Sequence, residues 1–317
     1  MDEREVLARV RAIFDQQPTI SSLIVGNGDD GAVFSSGGNL TVIATDMAVE
    51  DIHFRLDWSA ADQIGRKITA ANLADICAMG GWPEYLLVSV AFPERFIPNL
   101  ELLAEGIFEE ARKTGASVIG GDLSKSDRLV ISITAVGSTT RPIKRSGAVA
   151  GDSLVISHLP GWSNAGLDLL TMKVEASSSL HAQALDQHRA PQIDYIKYSN
   201  AFENLSSATD ISDGLIIDAT HLASAGNVSI HIDSSKFSDC QDFVKLTELA
   251  SSLGKDSLSW ILTGGEDHVL LATTAAPEKC EGFTVIGRID SGEGVFIDGT
   301  EVREEDLAHR AGYQHNW

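Results

Sequence analysis

Apolar residues recur along this chain with two periods, one helical and one extended. The helical period marks residues 3–15, with Val6, Leu7, Val10 and Phe14 on one side, and residues 60–79, with a stripe of Ile64, Ile68 and Ala71. Ser59 followed by Asp62 gives the second of these a start like a capping box. Further helices are predicted over 99–115, 162–173, 178–188, 213–225 and 240–253. Apolar runs of strand length cover 39–46, 84–92, 116–122 and 128–137, then "SLVISH", "NVSIHID", "VLLATT", "TVIGRI" and "GVFIDG". Residues 188–200 read as a loop and the start of a helix. Glycines cluster over 145–152 and the pattern restarts there, which places a boundary between a unit of 1–147 and a unit of 148–317. The order of long strands and helices predicts an α/β chain of the α+β type.

Composition narrows the function classes. A length of 317 residues suits two domains, each able to bury a core. The formal charge of −21 argues against nucleic acid as a partner, because its phosphates need a basic surface. No apolar run is long enough to cross a bilayer, so no membrane contact is expected. The start, "MDEREVLARVRAIFD", is charged and amphipathic, unlike a signal peptide. Cys77, Cys240 and Cys280 are far apart and form no CxxC pair. A cytoplasmic protein with buried thiols is the expectation.

The acids carry the candidate chemistry. "GNGDDG", Gly26 to Gly31, has the glycine spacing of a dinucleotide loop, yet "AVFSSGGN" follows where that loop needs a helix. Asp29 and Asp30 would also repel a bare phosphate. A divalent cation between carboxylate and phosphate reverses that sign, since Mg²⁺ takes carboxylate and phosphate oxygens together. Similar pairings of a small residue with an acid recur at "GGD" (120–122), "SDG" (212–214) and "GGED" (264–267). Asp75 falls in the apolar stripe of its helix, where a carboxylate needs a partner or a metal. Asp46, Asp122, Asp210 and Asp213 each lie at the end of a predicted strand or helix. Turn or cap hydrogen bonds explain each acid singly; one shared polymetal site explains them together.

The segments "GDDGAVF", "TDMAVEDIHF", "NLADICAMGG", "IGGDLSKSD", "KRSGAVAGD", "DISDGLIID", "TGGEDH" and "GYQH" together resemble the thiamine-monophosphate kinase family. The resemblance implies transfer of the ATP γ-phosphoryl group to thiamine monophosphate, giving thiamine diphosphate and ADP in thiamine diphosphate biosynthesis. It implies the two-domain aminoimidazole-ribotide-synthetase-like fold, and a homodimer whose N-terminal sheets pair. It implies several Mg²⁺ ions per site, matching Asp30, Thr45, Asp46, Asp75, Asp122, Asp210 and Asp213. Gly121, Asp122, Arg145 and Ser212 match nucleotide contacts, and His53, Glu266 and Tyr313 match positions that hold the thiamine phosphate. Asp46, Asp75, Asp122 and Asp213 are the expected catalytic acids. The chain departs from the family pattern at His268, where many members have Tyr, and at "HRAPQID", where many have HxxPxPR.

A phosphate acceptor needs no strong base, so acids that gather cations, with Arg145 and Lys125 adding charge, fit direct in-line transfer. Related enzymes that use a reactive cysteine fit less well, because no Cys precedes Cys77 and the sequence closes on "QHNW". A non-catalytic cation binder of EF-hand type is disfavoured by the absence of its loop pattern.

Overall fold

The computed structural model describes residues 21–26 and 29–302. The helix expected over 3–15 and Tyr313 lie outside the described residues. The chain opens with β1 (Leu23–Val25), β2 (Ala32–Ser36) and the long β3 (Asn39–Val49), followed by α1 (Ala61–Ala78) and β4 (Trp82–Phe92). Next come α2 (Leu100–Ala111), β5 (Ser117–Lys125) and β6 (Val130–Thr139). These strands form one sheet in the order β1-β2-β3-β6-β4-β5, antiparallel except for the parallel pair β4 and β5.

The second half runs β7 (Ser153–Ile156), α3 (Trp162–Thr171), α4 (Ser179–Arg189), α5 (Tyr195–Ala201), β8 (Ser207–Asp210) and α6 (Leu215–Gly226). It continues with β9 (Val228–Ile232), α7 (Phe243–Leu253), α8 (Ser257–Thr263), β10 (Leu270–Thr274), β11 (Thr284–Ser291), β12 (Val295–Ile297) and β13 (Thr300–Glu301). Seven strands form the second sheet, ordered β13-β12-β9-β11-β7-β10-β8, with only β12 and β9 parallel. Two mixed sheets with helices packed on them make this the α+β arrangement that the strand order implied. No helix among the described residues is long and apolar enough to cross a membrane.

The helix α1 ties the two halves together. Ile64, Ile68, Leu73, Ile76 and Cys77 are buried, so the helix is covered on most of its surface. It shares one continuous core with Val42 and Ile133 of the first sheet and with Ala208, Leu270 and Ala272 of the second. Its N-terminus is closed by Gln63, whose Oε1 accepts from Ala60 N at 3.0 Å, rather than by the Ser59–Asp62 pair that spacing suggested. Against α2 the backbones nearly touch: a Cβ on Gly106 would lie 2.0 Å from the Asp62 carbonyl oxygen. Only glycine permits that approach.

One element that positions the site was missed by periodicity. The strand β8 is "SATD", buried along its whole length yet built of small and polar residues. It pairs antiparallel with β10, Asp210 opposite Leu270. The helix start expected within 188–200 is α5, whereas the short helix α8 has no counterpart among the expected elements. The strand after the first glycine loop, β2, removes the dinucleotide reading, since no helix follows that loop.

Candidate functional site

Four acids converge where α1 meets both sheets. Asp30 comes from the loop between β1 and β2, Asp75 from the last turn of α1, and Asp210 from the end of β8. One carboxylate oxygen of each lies within 4.8 Å of those of the other two. Asp46 joins them from the core face of β3, the face that also carries Val42, Ala44 and Ala48. Its carboxyl neighbours that of Asp75. Asn72, one turn before Asp75, accepts from Asp46 N at 3.2 Å and donates to Ile68 O at 2.8 Å. That bond locks the strand to the helix beside the acids. Asn72 was not foreseen from sequence; its offset of three from Asp75 is the signal that would have found it.

Arg145 is the cation facing this cluster. Its Nη2 pairs with Asp30 Oδ1, and its Nε donates to Thr209 Oγ1 at 3.1 Å. Its backbone N donates to Asp29 Oδ2 at 3.2 Å, so Asp29 is spent on holding the Arg145 segment. Burial opposes the Arg145 charge, yet Asp30, Asp218, Asp210 and Asp29 hold it above its ordinary range.

One arginine leaves the acids undercompensated. Burial, and then its neighbours Asp210 and Asp29, push Asp30 well above the usual carboxylate range despite Arg145. Burial, then Asp46, Asp210 and Asp30, do the same to Asp75. Asp46 is raised by burial and by Asp210. Asp30 Oδ2 and Asp210 Oδ1 are buried with no hydrogen-bond partner among the described residues. Buried polar oxygens are normally satisfied. An all-oxygen donor set with two unsatisfied oxygens fits a hard divalent cation such as Mg²⁺.

A second cluster sits beside the first. The loop 211–214 turns back on Asp218, whose Oδ2 accepts from Asp213 N and Gly214 N, both at 3.1 Å. Ligand atoms of Asp213, Asp218 and His221 lie within 4.8 Å of one another. The "GGED" segment presses onto this loop: Glu266 N donates to Ser212 O at 2.8 Å, and a Cβ on Gly265 would lie 2.2 Å from that same oxygen. The glycines of the motif therefore serve close backbone approach.

Glu266 occupies a different electrostatic setting. It sits at φ 62 and pairs with Lys67 Nζ at 2.9 Å, and Lys67 also donates to His188 O at 3.0 Å. Burial would raise Glu266, but Lys67 and then His188 outweigh it and hold it below its ordinary value. His188 is pushed down to about 4 by burial and by Lys67, so it is neutral near pH 7. Lys67 has no place among the sequence expectations, and His188 enters them only as the first residue of "HRAPQID". Lys67 lies eight residues before Asp75 on the same helix, which is the pattern that would have flagged it.

Other expected site residues are not brought to the acid cluster. Thr45 points to the opposite face of β3, where its Oγ1 donates to Ile133 O at 3.0 Å and meets Thr134 Oγ1. Gly121 and Asp122 lie on the exposed edge strand β5, Asp122 accepting from Ser124 Oγ at 3.2 Å. Lys125 lies on the same exposed strand. His53 sits in the turn after β3, its Nδ1 accepting from Val49 N at 3.0 Å. His268, met in the sequence only as a departure, lies in the cluster with its Nδ1 2.8 Å from Asp210 Oδ2.

Comparisons with known proteins find relatives over nearly the whole chain. Residues 28–139 match the family model described as AIR synthase related protein, N-terminal domain. The thiamine-monophosphate kinase of Mycobacterium tuberculosis (strain CDC 1551 / Oshkosh) is 38% identical over 286 residues, covering 89% of this chain and 84% of that protein. That of Aquifex aeolicus (strain VF5) is 35% identical over 297 residues, covering 92% and 94%. The solved structure of AaThiL complexed with AMPPCP and TMP superposes with a TM-score of 0.88 at 30% identity, over 99% of this chain and 97% of that one.

Proposed function

Because this chain belongs to the thiamine-monophosphate kinase family, we propose a role for each part of the site in that family's reaction. The chain transfers the γ-phosphoryl group of ATP to thiamine monophosphate, giving thiamine diphosphate and ADP. The observation that carries the site assignment is the convergence of Asp30, Asp75 and Asp210 within 4.8 Å, with two buried oxygens left unsatisfied. Two anions must be held side by side in this reaction, the phosphate of the acceptor and the triphosphate of the donor. Divalent cations, Mg²⁺ in our reading, would be held here by Asp30, Asp46, Asp75 and Asp210 and would supply positive charge against both anions.

The chain's own residues do the rest. Asp30, Asp46, Asp75 and Asp210 would hold the cations, and the Asp213 loop would extend the donor set. Arg145 stands ready to exchange Asp30 for a nucleotide phosphate, since a guanidinium pairs with either oxyanion. Ser212 and the glycine-tight "GGED" turn shape the wall against the nucleotide. Glu266, fixed by Lys67, forms the acceptor side, and His53, in the turn after β3, is assigned to it by the family resemblance alone. No side chain is needed to abstract a proton, because a phosphomonoester is already largely ionised near pH 7. Transfer is direct, with no phosphorylated enzyme.

Thr45, Gly121 and Asp122 enter this reading through a second copy of the chain. The outer face of the first sheet exposes Met47, Tyr85, Leu87, Val118, Ile119 and Leu123, and every residue of the edge strand β5 is exposed among the described residues. An exposed apolar edge of this kind invites pairing with another chain. A homodimer formed on this face covers Thr45 and Asp122. The three cysteines are buried and unpaired, which supports a reducing, cytoplasmic setting.

A panel of phosphate acceptors with ATP and Mg²⁺ tests the function. ATP consumption that requires thiamine monophosphate is the expected result. ATP hydrolysis indifferent to the acceptor, or a phosphoprotein formed from ATP alone that then phosphorylates the acceptor, overturns the direct-transfer reading. For the dimer, Ile119→Asp with Leu123→Asp should shift the chain to a monomer in sedimentation. A wild-type monomer rules the pairing out.

A further inference from the structure

The two oxygens of Asp210 have different surroundings. Oδ2 meets His268 Nδ1 at 2.8 Å, while Oδ1 is buried without a hydrogen-bond partner among the described residues. Asp210 is 1% exposed and His268 is 7% exposed, so bulk water does not supply the missing bonds. An ionised carboxylate only accepts, so Nδ1 carries the proton in this contact.

The imidazole is held firmly in place. His268 stands at φ 51, in the left-handed region that side chains other than glycine seldom adopt. Its N donates to Ile211 O at 3.0 Å, and its carbonyl accepts from Tyr198 OH at 2.9 Å. Tyr198 is itself buried among the core residues. A backbone in that conformation persists only where its surroundings fix it. Ile211 directly follows Asp210, so the His268 backbone and ring grip the end of β8 at two adjacent points.

We propose that His268 is a positioning residue for cation binding: its Nδ1–H holds Asp210 Oδ2 so that Oδ1 faces the oxygens of Asp30 and Asp75. Without that bond the carboxylate rotates about its terminal torsion, which is broad and soft for aspartate. Oδ1 then leaves the position it shares with the other acids. Partners behind a ligating carboxylate typically change metal affinity by about 10–100-fold. The inference rests on the reading of Asp30, Asp75 and Asp210 as a divalent-cation site.

Equilibrium binding of Mn²⁺ to the full chain, alone and with AMPPCP, tests it without turnover. Free Mn²⁺ is read by its electron paramagnetic resonance signal. The variants are H268N, whose amide nitrogen falls close to the Nδ1 position, H268Q, whose amide reaches beyond it, and H268F, which keeps a ring and loses the donor. Asparagine also tolerates positive φ best among these. We expect H268Q and H268F to weaken Mn²⁺ binding by about 10–100-fold and H268N to stay within about threefold of wild type. In steady state the Mg²⁺ concentration for half-maximal rate should rise more than kcat at saturating Mg²⁺ falls. Mn²⁺ binding by H268Q and H268F at wild-type strength, or an H268N defect as large as that of H268Q, overturns the proposal. If H268F does not fold, H268N against H268Q decides. The variant Asp75→Asn separates the two readings. If it binds Mn²⁺ like wild type, the acid cluster is not the cation site. If it does not, and the His268 variants bind normally, only the positioning role fails.

Discussion

Two acidic corners, one buried and one half-buried, lie on the same helix and are solved in opposite ways. At the end of α1, Asp75 meets Asp30, Asp46 and Asp210, and one arginine faces them all. Two turns earlier, Lys67 meets Glu266 and leaves that corner internally balanced. Burial and mutual repulsion raise the carboxyls of the first corner, whereas Lys67 overcomes burial and lowers Glu266. The first corner is costly without an added cation; the second is complete as it stands. Binding of positive charge is therefore expected at one and preorganised recognition at the other. The family resemblance gives Glu266 a place in holding the thiamine phosphate, which would set a lone carboxylate beside the cationic thiazolium ring. The Lys67 pair changes that: the ring would meet a neutralised ion pair, with Lys67 available to the acceptor's own anionic groups.

The largest break in this comparison comes from Asp75→Asn. It should lower acceptor-dependent ATP turnover by about 10²-fold or more, since a ligating group should matter at least as much as its supporting shell. Unfolding in urea without metal should show no loss of stability, because one member of a repelling set has been neutralised. A large stability loss would mean that Asp75 is a structural partner instead. Next in size is Lys67→Met. It should destabilise the chain by about 1–2 kcal/mol, a value reduced because Glu266 is 35% exposed at its side chain. Adding Glu266→Gln should restore most of that loss in the same titration; no restoration would show the two groups to be uncoupled.

Solution pH sharpens the contrast. The carboxyls of Asp30 and Asp75 are raised above their unfolded value, and that of Asp267 is pushed up to about 6 by burial, despite N–H groups of Gly161 and Ser163. For a raised carboxyl, the stabilising contribution is full below the unfolded pKa and is lost as pH rises through the folded one. Metal-free protein should therefore lose this contribution between about pH 4 and pH 6 at Asp267, and higher for the acid cluster. Cation binding requires ionised ligands. The rise in melting temperature caused by Mg²⁺ with nucleotide should thus be larger at pH 8 than at pH 5.5. An equal rise at both values contradicts the cluster's role. The smallest effect is expected for Thr45→Val. In monomeric protein it should cost under about 1 kcal/mol, because its Oγ1 bonds lie on an exposed face. If the second copy brings this face to the site, turnover of the dimer falls more than stability does.

Much of the frame was legible in the chain itself. The long elements carry clear apolar periods, and β3, α1, β4 and β6 fall within a few residues of where those periods predict them. The acids that converge were also visible, because Asp75 stands in an apolar stripe, Asp30 precedes Gly31, and Asp210 lies two residues before Ser212. The strand β8 was not legible. Its four residues end the second sheet beside β10 and are buried by the helices α1 and α6, so they need no apolar run of their own. The partners Asn72, Lys67 and His268 were not assigned either, since their bonds span 26, 199 and 58 residues. Local sequence therefore determined which segments are helix or strand and which acids stand out of place. Only the packing of α1 between two sheets decided which acids share one pocket, which lysine neutralises which glutamate, and which oxygens remain without a partner. Local periods report burial one element at a time, whereas the energy of a charge depends on neighbours that the chain brings together from far apart.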